Sequence, residues 1–538
     1  MLFNSYAFIF AYLPITLLGY ALIARRPDSR ALSIWWLVLC SVIFYGVWNP
    51  LNLLIIAPSM IVNYFLARAI QRRSIRGGAE DRVGRWLLIF GIAINLCFLG
   101  YFKYKNFFLD SVNIIWGSHW PLIDVILPLG ISFITFQKIA FLVDVRTRTI
   151  RDFELLDFLI FVFFFPQLIA GPIVHYREMV PQFKNDLRQV TAKNISVGLG
   201  LFAIGLFKKT VLADSIAPYA TAIFNTAEGD AAIGIANAWI GVSAFTLQVY
   251  FDFSGYSDMA TGLARIFGII LPMNFNSPLK ASCIIDFWNR WHMTLTKFLT
   301  AYIYSPILLR VTRARMASGK LMISRKHAPV GAFVVLVAMP TMITMLASGI
   351  WHGAGITFVL YGALHGAYLV INHAWRQWRP KWDRASYDRV MRPVGRVLTL
   401  AAAFFAMSLF KAQTLHGALH MMSALLGFEG FRIPAGVLSQ AGVVGKWLVA
   451  LGVKGDDSSG VAFLAMVGWT IALLLAATCL PNSMEMLSRF QPTLGVKASA
   501  SGPWVIALDR RWAMVCALIL LAGLLSLNRV SEFLYWQF

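Results

Sequence analysis

Apolar residues in this chain gather in stretches of about 20, the length that crosses the hydrocarbon core of a bilayer as a helix. The stretches are Leu2–Ile23, Ala31–Trp48, Leu51–Ala67, Trp86–Phe102, Asp124–Val143, Leu155–Ile173, Val197–Leu212, Ala232–Phe251, Val330–Ala347, Ile356–Asn372, Val397–Leu409, Val461–Leu480 and Trp512–Leu527. Some of these can be partial or re-entrant, so the pattern predicts roughly 11 to 13 spans. Leu2–Ile23 has neither a basic start nor a small-residue cleavage site and reads as a retained first span, not a signal peptide. No long polar linker divides the chain, and no internal repeat at a fixed period is visible. The prediction is an all-α polytopic membrane protein, one domain over residues 1–538.

Composition agrees with that pattern. Hydrophobic residues make up 58% of the 538 positions and charged residues only 13%, and the mean hydropathy is +0.67. Such values lie outside the soluble globular range. The formal net charge of +22 does not argue for nucleic acid, because the basic residues sit in short loops between apolar stretches, as the positive-inside rule describes. Arg25, Arg26 and Arg30 follow the first stretch; Arg68, Arg72, Arg73, Arg76, Arg82 and Arg85 follow the third; Arg146, Arg148 and Arg151 mark another basic loop. Alternation then places the N-terminus outside and these loops in the cytoplasm, with Lys103 and Lys105 the poor fit. The five cysteines, Cys40, Cys97, Cys283, Cys479 and Cys516, form no CxxC pair, so neither a disulfide framework nor a metal site is implied.

Polar residues at membrane depth are costly, and each intramembrane cluster is a candidate site. Tyr250–Asp258, YFDFSGYSD, brings Asp252 and Asp258 to the end of an apolar stretch. They are candidates for holding a substrate or cation, but Ser257 and Asp258 are N-cap residue types, and capping a helix Met259–Ile269 is the favoured reading. In Ile285–Lys297, IDFWNRWHMTLTK, helical spacing sets Trp288, His292, Leu295 and Leu299 on one stripe, with Asp286, Asn289, Arg290, Met293 and Lys297 around the rest. Taken alone, His292 reads as a satisfied core histidine. In Ala347–Ile356, ASGIWHGAGI, His352 lies among glycines, and Gly353 and Gly355 are expected to supply unusual backbone angles or close approaches. Gly362 and Gly366 form a GxxxG that lets a neighbouring helix come close, and His365 beside them reads as a hydrogen-bonding structural histidine.

Other catalytic patterns are absent. The sequence contains no GxxxxGK[ST], no HExxH, no GxSxG elbow and no DHHC, and Val180 stands where an HxxxxD beginning at His175 would need aspartate. Two tryptophan-flanked histidines without a nucleophile suit general-base chemistry, since a neutral imidazole accepts a proton near neutral pH.

At these residues the chain resembles the membrane-bound O-acyltransferase family, in its bacterial branch that O-acetylates exported polysaccharides. The matching blocks are MLFNSYAFIF at Met1, LPLGISFITFQKIAFLVDV at Leu127, FFPQLIAGPIV at Phe164, YFDFSGYSDMATGLARIFGI at Tyr250, NFNSPLKASCIIDFWNRWHMTLTKFL at Asn274, GIWHGAGITFVLYGALHG at Gly349 and FLYWQF at Phe533. They span nearly the whole chain and are densest over roughly 124–375, and their order makes the set far more specific than any one block. The chain departs from the usual pattern at ASGIWH, where a glycine pair is more common, at KFLTAYIYSPI, which lacks a charged pair, and over the extended segment Gly427–Gly460.

The resemblance implies a bundle with re-entrant and interfacial helices around a central funnel. It implies catalysis by His352 as general base with His292 as the second active-site histidine, and it makes Trp288, Asn289, Trp291 and Trp351 substrate-tunnel candidates. The implied donor is acetyl-CoA, with no tightly bound cofactor and no metal. The implied acceptor is a hydroxyl of an alginate-like or other exopolysaccharide, reached directly or through a periplasmic SGNH-type partner, from a multi-pass site in the bacterial inner membrane among its lipids. D-alanyl or lipid O-acyl transfer is the alternative within the family, and a proton-coupled transporter or flippase the alternative outside it. The basic loops Arg310–Lys326 and Arg376–Arg392 flank a predicted hairpin whose far turn carries His352 between two cytoplasmic ends.

Overall fold

The computed structural model describes all of the chain except residues 27–28, 79–80, 123–126, 185–189, 324–328, 381, 457, 497–503, 528–533 and 535–538. The start of the Asp124–Val143 stretch, Arg325, Lys326, Lys381 and all of FLYWQF but Leu534 therefore lie outside the described residues. The rest is overwhelmingly helical, and the protein is a multi-pass membrane protein. Among the described residues, six helices are long and apolar enough to cross a membrane: Pro50–Gly77, Arg82–Trp116, Ala192–Ala227, Val330–His352, Ala385–Lys411 and Gly460–Cys479. Phe8–Ala24 and Arg30–Gly46 are shorter apolar helices. Large apolar side chains such as Leu54, Phe65, Trp86 and Val461 remain exposed on them, as lipid-facing surfaces require.

Several helices outrun the apolar stretches that predict them. The third begins where the side chain of Asn49 accepts from Leu51 N–H at 3.0 Å and Pro50 takes the first turn, and it continues through the arginine-rich segment to Gly77. The fourth is capped by Asp81, which accepts from Gly84 N–H at 2.7 Å. The six long apolar helices among the described residues are fewer than the roughly 11 to 13 spans expected, and Leu155–Ile173 is one of the stretches that do not form a single long helix. Its helix Leu155–Phe163 ends at the extended Phe164, and Pro166 opens only the four-residue helix Phe165–Leu168. Proline removes a backbone donor and clashes with the preceding turn, so an uninterrupted helix cannot form there.

The chain forms two compact units, each drawn from separated stretches. One comprises Met1–Phe207, Gly255–Met273 and Ser483–Gln537; the other comprises Lys208–Ser254 and Asn274–Asn482. In the first, Phe3 stacks on Tyr256 with ring centroids 4.9 Å apart, and Phe8, Phe44 and Phe165 pack around them. Asn63 and Asn95 exchange amide hydrogen bonds at 3.3 and 2.6 Å between two apolar helices, satisfying polar groups that lipid cannot. Gly198 and Gly262 are in backbone contact: a Cβ on Gly198 would lie 2.6 Å from the Gly262 carbonyl oxygen. The expected cap at Asp258 is overturned. A single helix, Ile235–Ile266, runs straight through YFDFSGYSD, so Asp258 lies in its interior and accepts from Ser483 Oγ at 2.7 Å.

In the second unit Asp252, on the same helix, pairs with Lys209 Nζ at 2.6 Å, and Lys209 also reaches Asp214 at 2.9 Å. All three side chains are buried. Lys209 lies in the π-helical turn Lys208–Ala213, which interrupts the regular helix where this ion cluster forms. The segment Gly427–Gly460 contains the parallel strands Arg432–Pro434 and Lys454–Asp456, paired in register, with helices Ala435–Gln440 and Gly442–Ala450 between them. Helix periodicity gives no hint of such short strands. The predicted hairpin is present: helices Met339–His352 and Ile356–Trp378 pack along their length, joined by Gly353–Gly355.

Candidate functional site

The second unit brings together the two sequence blocks that carry His292 and His352. His292 does not lie on a helical stripe with Trp288, as spacing alone suggests. Helix Ile284–Trp288 ends, the chain turns, and helix Met293–Leu299 begins with His292 as its N-terminal flanking residue. His292 has φ 42° and ψ 51°, the left-handed region, which costs a non-glycine residue about 1–2 kcal/mol. That conformation is held by a clamp. Asn276 N–H donates to Arg290 C=O and Met293 N–H donates to Asn274 C=O, both at 2.9 Å. The Asp286–Arg290 pair, at 2.8 Å, and a bond from Arg290 to Asn276 C=O brace the other side of the turn.

Asn274 also engages the imidazole directly. Its Oδ1 lies 3.0 Å from His292 Nδ1, accepts from Thr294 Oγ1 at 2.8 Å, and lies 3.3 Å from Thr294 N. His292 is fully buried, with Phe253 edge-on at 4.8 Å between centroids and Phe275 stacked at 6.3 Å. Trp291, a tunnel candidate, stacks on Phe287 and meets Phe275 edge-on within this aromatic wall.

His352 ends helix Met339–His352 and is 4% exposed. Trp351 touches both imidazoles, with ring centroids 5.9 Å from His292 and 4.8 Å from His352. The structure therefore gathers the two sequence-predicted histidines on one indole. Tyr361 and Phe410 meet the His352 ring edge-on at 5.9 and 5.2 Å.

Glycines set this corner, though not by unusual angles. Gly353 and Gly355 are both extended, conformations open to any residue. Gly353 is required by proximity, since a Cβ there would stand 2.1 Å from the Phe358 ring. A Cβ on Gly355 would make only ordinary contacts, 3.6 Å at the nearest. The GxxxG works as expected: a Cβ on Gly362 would lie 2.4 Å from Met345 C=O, and one on Gly349 would lie 2.3 Å from Phe358 C=O. His365, fully buried, bonds as expected too, accepting at Nδ1 from Trp288 Nε1–H at 3.3 Å, while its ring packs on Tyr361 at 4.5 Å.

Beside these residues lies a cavity of about 270 Å³. Trp288 and Asn289 line it, with Thr296, Thr300, Tyr304, Thr341, Thr344 and His373 among the other walls. Thr300 and Tyr304 belong to the π-helical turn Thr300–Tyr304, whose wider coil breaks the regular spacing of that wall. Of the four tunnel candidates, then, Trp288 and Asn289 face the cavity, whereas Trp291 and Trp351 pack against the histidines' aromatic surroundings. Neither His292 nor His352 is a lining residue; Trp288 connects the two regions through His365, Tyr361 and His352. Sequence reasoning missed Asn274, Tyr361, Phe410 and His373. Tyr361 sits four residues before His365, a spacing that carries a usable signal. Asn274 is 18 residues from its partner, and no periodicity links them.

The chain is similar to known proteins along most of its length. The family model for MBOAT, the membrane-bound O-acyltransferase family, matches residues 145–321, which include His292 and end before His352. The chain is 37% identical to a peptidoglycan O-acetyltransferase of Helicobacter pylori over 80% of each chain. It is 35% identical to a probable alginate O-acetylase of Pseudomonas aeruginosa, covering 80% of this chain and 76% of that one. It is 32% identical to a probable alginate O-acetylase of Pseudomonas putida over the whole of both chains. With similarity of this extent, the chain belongs to the membrane-bound O-acyltransferase family and is an acyltransferase.

Proposed function

We propose that this enzyme passes an acetyl group from cytoplasmic acetyl-CoA to hydroxyls of an exported polysaccharide, from the bacterial inner membrane, directly or through a periplasmic SGNH-type partner. The observation that carries the reading is the meeting of His292 and His352 on Trp351 in a buried aromatic setting. The reading is supported by relatives named for O-acetylation of two different glycans, peptidoglycan and alginate.

The reaction needs few parts. A hydroxyl oxygen attacks the thioester carbonyl carbon while its proton passes to an imidazole; the C–S bond then breaks, and the proton ends on the departing thiolate as CoA thiol. His352 serves as the base and His292 as its partner in handling that proton. General-base assistance contributes about 10²–10⁴ in rate, roughly 3–5 kcal/mol of barrier. The burial of both rings keeps water from competing with the acceptor hydroxyl. The cavity bounded by Trp288, Asn289 and Tyr304, with threonine hydroxyls on a mostly apolar wall, receives the thioester arm of the donor. The basic segments Arg310–Lys326 and Arg376–Arg392 orient the His352 hairpin with both ends in the cytoplasm, where the donor is.

The test is release of CoA thiol by the purified protein in detergent or nanodiscs, with acetyl-CoA and a soluble uronic-acid or muropeptide oligosaccharide as acceptor. Stoichiometric CoA release with O-acetyl ester formation is the expected result. Absence of both, with transfer from a D-alanyl carrier protein instead, overturns the donor assignment.

A further inference from the structure

We infer that Asn274 is a positioning residue that locks His292 in the tautomer whose Nε2 accepts a proton. The inference rests on the proposed role of the two histidines and adds to it a residue and a direction of proton flow. An amide side chain presents an oxygen that only accepts and a nitrogen that only donates. Asn274 Oδ1 faces the backbone N–H of Thr294, an obligate donor, at 3.3 Å and the Thr294 hydroxyl at 2.8 Å. Turning the amide over would set two N–H groups against each other, so the network fixes its orientation. The third group on the same oxygen is His292 Nδ1, 3.0 Å away, which must then carry hydrogen. In a neutral imidazole one nitrogen holds the proton and the other a lone pair. With Nδ1–H committed to Asn274, Nε2 is the accepting nitrogen.

The backbone makes this lock rigid. The left-handed His292 is pinned by Met293 N–H on the carbonyl of the same Asn274, so the residue that sets the tautomer also fixes the ring's point of attachment. The rings packed on His292, those of Phe253, Phe275 and Trp351, carry no charge. In its neutral form His292 presents Nε2 as a proton acceptor to its partner His352 and the substrate, and not as a donor that polarises the thioester carbonyl. Once protonated at Nε2, it keeps its Nδ1–H bond to Asn274, so the oxygen that selects the tautomer also steadies the imidazolium.

Asn274→Leu and Asn274→Asp test this in the full-length protein. The leucine variant removes the acceptor, and the expected result is a kcat at least about 10-fold lower with the KM for acetyl-CoA changed less than about threefold. The aspartate variant keeps an accepting oxygen and adds negative charge. It is expected to recover activity and to move the acid limb of the kcat–pH profile to higher pH, because an anion favours the protonated imidazole. Nitrogen-15 spectra of histidine-labelled protein, with His292 assigned by its loss in His292→Gln, are expected to show hydrogen on Nδ1 in wild type and in Asn274→Asp. If Asn274→Leu does not fold, Asn274→Asp and the wild-type spectrum decide. A wild-type spectrum with hydrogen on Nε2, or an Asn274→Asp profile that superposes on wild type, overturns the positioning role. Full activity in His292→Gln instead overturns the proposed use of the two histidines.

Discussion

Trp288 donates its indole N–H to Nδ1 of His365 at 3.3 Å, and this bond ties a wall of the cavity to the helix that packs beside His352. Because an indole N–H can only donate, neutral His365 carries its own hydrogen on Nε2, the reverse of the arrangement inferred for His292. A buried hydrogen bond of this kind contributes about 0.5–1.5 kcal/mol. Trp288→Phe and His365→Leu should each lower the thermal unfolding midpoint, and the double variant should lose less than the sum of the two. Strictly additive losses would mean that the two rings are neighbours without a bond.

The glycines around His352 separate into those that hold the corner and those that do not. Gly349→Ala and Gly353→Ala each drive a methyl group into backbone or ring atoms of Phe358. Both variants should lose folded protein or activity, at a cost of about 1–3 kcal/mol from overpacking. Gly355→Ala should behave as wild type, since its backbone is extended and its new contacts are ordinary. Size-exclusion profiles and acetyl transfer of the three purified variants check this, and equal damage at Gly355 would contradict it.

Lys209 offers a sharper stability test. Its ammonium group is shared between Asp214 and Asp252, all buried. Lys209→Met leaves two carboxylates facing each other in an apolar interior and should destabilise the protein by about 3–5 kcal/mol. Adding Asp252→Asn to Lys209→Met should restore part of that loss, because one buried charge is then removed. Unfolding midpoints of the single and double variants decide; a double variant no more stable than Lys209→Met would show that the carboxylates do not repel each other.

The helical architecture was legible in the sequence because lipid makes apolar length nearly sufficient for a span. The number of spans was less so, since six described helices are long and apolar enough to cross a membrane where roughly 11 to 13 were expected; at Leu155–Ile173, Pro166 breaks a run that hydropathy alone cannot divide. Hydropathy also marked Asp252 and Asp258 as the end of a span, since it counts charges as costs and cannot see that Lys209 and Ser483 satisfy them in mid-helix. His292 and His352 were singled out by the family resemblance, since His292 taken alone reads as a core histidine, whereas the GxxxG predicted by itself a close helix contact that Gly349 and Gly362 make. The turn at His292 was not legible. Every residue from Ile285 to Lys297 tolerates a helix, and the left-handed kink exists only because Asn274 and Asn276, distant in sequence, pair with that segment. The same is true of the cavity, whose walls come from three separated stretches.

The measurement that bears most directly on the account is single-turnover transfer from radiolabelled acetyl-CoA by purified wild type, His292→Ala, His352→Ala and the double variant, each verified as folded. Residues that act as one catalytic unit are strongly non-additive. The account predicts that each single variant falls about 10²–10⁴-fold and that the double variant is little worse than either. Fully additive losses, or more than roughly a tenth of wild-type transfer in folded His352→Ala, would contradict it.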